Sequence, residues 1–197
     1  MAADIRIRGR FYGQGARSGL IRAKLDEKIS KPMKIQFEDL WRYVVAQIHV
    51  SERSVHGPDH WRRVERNGLV LSERTGADVT VVRLFALFHD SCRVNDCWDD
   101  GHGARGAEFA RSLRGSFFDL PDDQFELLHH ACTWHTDEVH HSDPTIGTCW
   151  DADRLDLGRV GAIPDAHFMS TSFGREIADF GSIQPFVSGN REANRLT

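Results

Sequence analysis

Residues 78–90, DVTVVRLFALFHD, are apolar on nearly every side until the run stops at His89 and Asp90. Thirteen residues without polar alternation predict a helix buried all round, although the valines keep a buried strand as the competing reading. Such a segment belongs at the centre of a fold, and the rest of the chain must wrap it. The pair that ends it is expensive to bury, because a carboxylate or an imidazole withdrawn from water needs a partner.

The surrounding sequence predicts further helices from Ile35 onward. Leu40, Trp41, Val44, Val45 and Ile48 recur at spacings of three and four, which gives one apolar face. In HGPDHWRRVERNGLVL, Pro58 suits a first helical turn, and Trp61, Val64, Gly68 and Leu71 line one side. Segments at about 102–115, 121–136, 144–158 and 172–180 follow, separated by GHG, RGS, LPDD, SDPT and GAIP. The Ser/Thr cluster before FGREIADF starts a last short helix, so the C-terminal tail is expected to pack on the domain. No strand alternation or repeat is visible. The expectation is an all-α bundle spanning 35–197 as a single domain.

Composition narrows the setting. The 197 residues are 40% hydrophobic and 27% charged, enough for one sizeable core, and no apolar run is long enough to cross a bilayer. A soluble, cytoplasmic protein is expected, with no membrane partner. Residues 1–34 hold nine Lys/Arg against three acids, a net +6 that leaves −10 for the remainder of a −4 chain. This Gly/Arg-rich leader reads as a flexible or peripheral arm, and Met33 is an alternative start. The overall charge of −4 argues against nucleic acid as a partner, with a transit peptide or a nucleic-acid arm as the alternative readings of the leader. Cys92, Cys97, Cys132 and Cys149 form no C-x-x-C pair, so they read as reduced thiols rather than a zinc ribbon.

Three polar islands interrupt the helices: His60 beside Trp61, the His89-Asp90 pair, and CWDADRLDLGRVG with Asp151, Asp153 and Asp156. Aspartate is a poor helix-interior residue, so this last run asks for a cap or a cation. One divalent ion would satisfy all three islands, since imidazole with carboxylate suits Mn, Fe, Co, Ni, Zn or Mg.

His60 followed by WRRV, then LFALFHD, then DADRLDLGRVG resemble, in order and context, the motifs of HD-domain metal-dependent phosphohydrolases over about residues 36–165. The resemblance implies a helical bundle of the HD-domain type and one ion held by His60, His89, Asp90 and Asp153, with Asp151 as the reserve for the last position. It implies a substrate phosphate on the ion and a water oriented by Asp90 for attack on phosphorus. Arg93 stands where some relatives carry a lysine. It is assigned a forked phosphate contact, against a salt bridge to Asp96 or Asp99. Arg63 and Arg154 are expected to pair with neighbouring acids. His102 and His135 stand where relatives place extra histidines, as ligands of a second ion bridged by Asp90 or as the acid for the leaving group. His56 is a candidate for the mouth of the site, and Trp61, Trp98, Trp134 and Trp150 for stacking a base, with core packing the alternative. Arg93 and Val94 replace the acidic pair of guanosine-tetraphosphate hydrolases, which disfavours that substrate. The expected function is phosphomonoester or phosphodiester hydrolysis of a small phosphorylated metabolite or nucleotide, with homodimerisation left open. The alternatives are a diiron oxygenase of the same fold and a silent metal- or ligand-binding module.

Overall fold

The computed structural model describes residues 37–51 and 54–187; the basic leader and the end of the tail lie outside them. The helices are α1 Phe37–Val45, α2 Pro58–Thr75, α3 Val79–Phe88, α4 His102–Leu113, α5 Asp122–Trp134, α6 Pro144–Arg154 and α7 Ser172–Phe180. Short 3-10 turns cover Leu157–Val160, Ala166–Phe168 and Gln184–Phe186. Among the described residues there is no strand, and no helix is long and apolar enough to cross a membrane.

The central run is helix α3, and its start explains why. Asp78 accepts from the backbone N–H groups of Thr80 and Val81, so two donors that a helix leaves orphaned are satisfied at once. Leu84, Phe85, Ala86, Leu87 and Phe88 are all buried, consistent with a helix covered on every side. Helices α2, α4, α5 and α6 supply that cover. Each large side chain so buried contributes about 1.5–3 kcal/mol. Asp143 with Pro144 opens α6 in the same way as Asp78 opens α3, and Thr171 caps α7. Residues 144–158 do not continue as one helix: α6 stops at Arg154 and the chain tightens into a 3-10 turn. That break carries Asp156 off the α6 axis and toward His60.

Two glycines in α4 set how close the helices come at the end of α3. A Cβ on Gly106 would stand 2.2 Å from the Phe88 carbonyl oxygen, and one on Gly103 would stand 2.2 Å from the Cys132 carbonyl oxygen. Both neighbours are backbone, so neither can yield cheaply. Gly106→Ala gains up to about 1 kcal/mol of helix propensity, but overpacking of this kind costs roughly 1–3 kcal/mol and more against backbone. The expected result is a net loss of about 1–3 kcal/mol in urea unfolding, the reverse of the gain seen on an open helix surface.

Candidate metal centre

The polar islands meet where helix ends converge. His60 lies in the first turn of α2, His89 and Asp90 follow the last turn of α3, and Asp153 lies in the last turn of α6. His102 opens α4, and His135 directly follows α5. His60, His89, Asp90, His102 and His135 are all buried.

Two clusters share Asp90. In the first, His60 Nε2 lies 3.1 Å from His89 Nε2 and 3.2 Å from Asp153 Oδ1. Both imidazole nitrogens lie 3.6 Å from Asp90 Oδ2. In the second, His102 Nε2 lies 3.1 Å from His135 Nε2, and Asp90 Oδ1 stands 3.1 and 3.7 Å from them. One carboxylate therefore offers one oxygen to each cluster.

The outer ring nitrogens settle which way the lone pairs point. His60 Nδ1 donates to Asp156 Oδ2 at 2.7 Å, and His89 Nδ1 donates to the carbonyls of Phe85 and Ala86 at 3.2 Å each. His102 Nδ1 donates to the Asp99 carbonyl at 2.7 Å, and His135 Nδ1 to the Cys132 carbonyl at 2.8 Å. Carbonyls and carboxylates only accept, so all four rings carry a proton on Nδ1 and turn Nε2 inward.

Inward lone pairs facing one another at 3.1 Å, beside carboxylate oxygens, make a site where a positive charge is favoured. Asp153 Oδ1 is buried without a hydrogen-bond partner among the described residues, an arrangement that costs about 1–3 kcal/mol or more for a charged group. Donors sharing one ion with bonds near 2.1 Å lie about 3.0–3.4 Å apart, close to the spacings around His60. The residues of the first cluster thus fit a divalent ion. Electrostatics point the same way. Burial works to raise the Asp90 pKa, yet His89, His102 and His135 outweigh it and hold the carboxyl well below the usual range. Burial is likewise overcome at Asp153, chiefly by His60 and His89. At His60 burial favours the neutral ring, but Asp153 and Asp156 reverse it and raise the pKa, while burial pushes His89 down to about 3.

The remaining candidates fall in several places. Asp151 sits two residues before Asp153 but turns to the opposite side, where it accepts from the N–H groups of Ser170 and Thr171 and from the Thr171 hydroxyl. Arg93 is buried and makes no pair with Asp96 or Asp99; Asp96 accepts from Ser54, and Asp99 pairs with Arg105. Nor does Arg93 present a free fork. Its Nε donates to the Asn95 carbonyl, one Nη to the Cys97 carbonyl, and the other Nη faces Asp90 and His102. Arg63 pairs with Asp156 as expected, whereas Arg154 donates to the carbonyls of Glu138, Val139 and Phe168 instead of to an acid. His56 approaches His60 edge-on at 6.3 Å between ring centres. Trp61 and Trp150 are core residues whose Nε1–H groups donate to backbone carbonyls, while Trp98 is 84% exposed.

Two residues of the centre had no role in the sequence reading. Asp156 fixes the His60 ring, and Arg159 lies 3.9 Å from Asp153 with one buried Nη lacking a hydrogen-bond partner. Asp156 was visible as an acid of the third island; Arg159 carried no signal, since its approach depends on the 3-10 turn. A hollow of about 160 Å³ beside the second cluster is lined by Arg93, Trp98 and His102 among others.

No family model and no curated protein matches the chain. A crystal structure of a predicted HD superfamily hydrolase from an uncultured Thermotogales bacterium does, at a TM-score of 0.60 and 23% identity, over 75% of this chain and 85% of that one. The chain shares the fold of that structure. Within this fold, the His60, His89 and Asp90 side chains are a group able to hold a metal ion, as are Asp90, His102 and His135.

Asp151 and Asp156 provide opposite expectations. Asp156→Ala releases the His60 ring and should weaken manganese binding by about 10–100-fold in a calorimetric titration with little change in fold. Asp151→Ala should cost about 2–4 kcal/mol in denaturant unfolding by freeing the start of α7, and leave metal affinity unchanged.

Proposed function

We propose that this protein is a metal-dependent phosphohydrolase acting on a small phosphorylated metabolite or nucleotide. The observation that carries the reading is the facing pair of His60 and His89 lone pairs, flanked by Asp90 and by the unpartnered oxygen of Asp153. The likeness to a structure described as an HD superfamily hydrolase supports the general class. A divalent ion held there supplies Lewis acidity toward a phosphoryl oxygen and makes a neighbouring water acidic.

The chain's own residues provide the rest. Asp90, kept ionised, accepts a hydrogen bond from the attacking water and orients it. Arg159 brings positive charge beside Asp153 and has an uncommitted N–H for a phosphoryl oxygen. At His135 burial opposes the charged ring, but the hydrogen bond to Asp90 prevails and raises the pKa, so the inward Nε2 lone pair is suited to take up a proton and pass it to the leaving oxygen. His102 Nε2 stands 3.1 Å from both His135 Nε2 and Asp90 Oδ1 and keeps the ring and the carboxylate in register. The exposed Trp98 at the neighbouring hollow offers a stacking face for a base.

The test is phosphate release from aryl phosphates, nucleotides and sugar phosphates in the presence of manganese, cobalt, nickel or magnesium. Activity with at least one pair is expected, with Asp153→Ala lowering it more than about 100-fold. Silence across all combinations, from protein shown to bind metal, removes the hydrolase reading.

A further inference from the structure

The two clusters around Asp90 have the same kind of donors but differ in one respect. Among the described residues, no side-chain N–H donor other than the histidine rings lies within hydrogen-bond distance of His60 Nε2, His89 Nε2 or Asp153 Oδ1; the Arg159 guanidinium remains 3.9 Å from Asp153. The second cluster already contains a guanidinium. Arg93 Nη1 stands 3.1 Å from His102 Nε2 and 3.4 Å from Asp90 Oδ1, the same atoms a second ion would need. We propose that the Arg93 guanidinium is the built-in cation of the Asp90–His102–His135 cluster and limits the protein to one metal ion per chain.

The loop after α3 is arranged to keep Arg93 there. Asn95 and Cys97 each give a backbone carbonyl to the guanidinium, and Asn95 Oδ1 accepts from the Cys97 N–H. Asp99 Oδ2 accepts from the Val94 N–H, Arg105 holds the other Asp99 oxygen, and the Asp99 carbonyl takes the His102 Nδ1–H. The residues that position the arginine therefore also orient one of the rings it serves. For Arg93, itself buried, to swing out, the carbonyls of Asn95 and Cys97 would lose a donor bound through part-buried hydrogen bonds. A divalent ion entering while it stayed would meet a positive charge at contact distance. Either event disfavours a second ion.

This inference rests on the reading that the first cluster takes a metal, and it separates one-ion hydrolysis from two-iron oxygen chemistry. It also gives the buried guanidinium a function that a forked phosphate contact does not, since its donors are already engaged.

The experiment counts manganese ions. Full-length wild type, Arg93→Ala and the bulkier Arg93→Gln are titrated with manganese(II) calorimetrically, with metal analysis after gel filtration. The expected counts are one for wild type and two for both variants, with a spin-coupled signal in the variants because Asp90 offers an oxygen to each cluster. Adding His135→Ala to Arg93→Ala should return the count to one. Equal counts in wild type and variants overturn the proposal, as do two ions in wild type. If Arg93→Ala fails to fold, the comparison of wild type with Arg93→Gln decides by the same rule. A wild type that binds none beside variants that bind one would keep the role of Arg93 and defeat the hydrolase reading instead.

Discussion

The centre depends on four buried imidazoles whose protons are held on the outside. With Nδ1 committed to fixed acceptors, every Nε2 lone pair turns inward toward two carboxylates, and no rotation of a ring relieves the crowding without breaking an outer hydrogen bond. Left to itself this arrangement opposes folding, because like-facing acceptors at 3.1 Å repel and have lost their water. The helices around it must supply the difference through apolar burial. A cation at the centre turns the same geometry into a stabilising one, so folding and ion binding favour each other.

The outer acceptors are not scattered. His89 and His135 are the residues that end α3 and α5, and their Nδ1 protons go to carbonyls of the last turn, which a helix otherwise leaves unpaired. Asp153 lies in the last turn of α6, so three helix C-termini face the clusters. Their aligned carbonyl dipoles add negative potential where a cation is wanted. The glycines of α4 belong to the same design, since only a helix without Cβ atoms at 103 and 106 brings His102 down onto the ends of α3 and α5.

Much of this was legible in the sequence because helices announce their period and their caps. The central run, the Pro58 start, the Asp143-Pro144 start and the short helix after Thr171 follow from local chemistry, and the structure has each of them. His60, His89, Asp90 and Asp153 stood out as polar residues in apolar company, and they converge. What escaped the sequence depends on how the chain turns after a helix ends. The reading of 144–158 as one helix placed Asp156 on a continuing axis and left Arg159 beyond its end, and neither acquires its partner until the 3-10 turn redirects it. Arg93 failed differently: a polar loop reads as solvated, and nothing in RVNDCWDDG shows that its carbonyls fold back around a buried guanidinium.

Helix α6 shows how closely structural and chemical duties can be interleaved. Asp151 and Asp153 are two residues apart, about 200° around the helix, so they must face opposite sides. One is buried against the start of α7, where three donors from Ser170 and Thr171 satisfy it; the other ends with a buried oxygen that has no hydrogen-bond donor among the described residues. Composition cannot tell the two apart. Hydrogen-bond satisfaction can. A buried acid whose acceptors are filled is explained by the fold alone, whereas one left short in the same helix points to something the fold is built to receive.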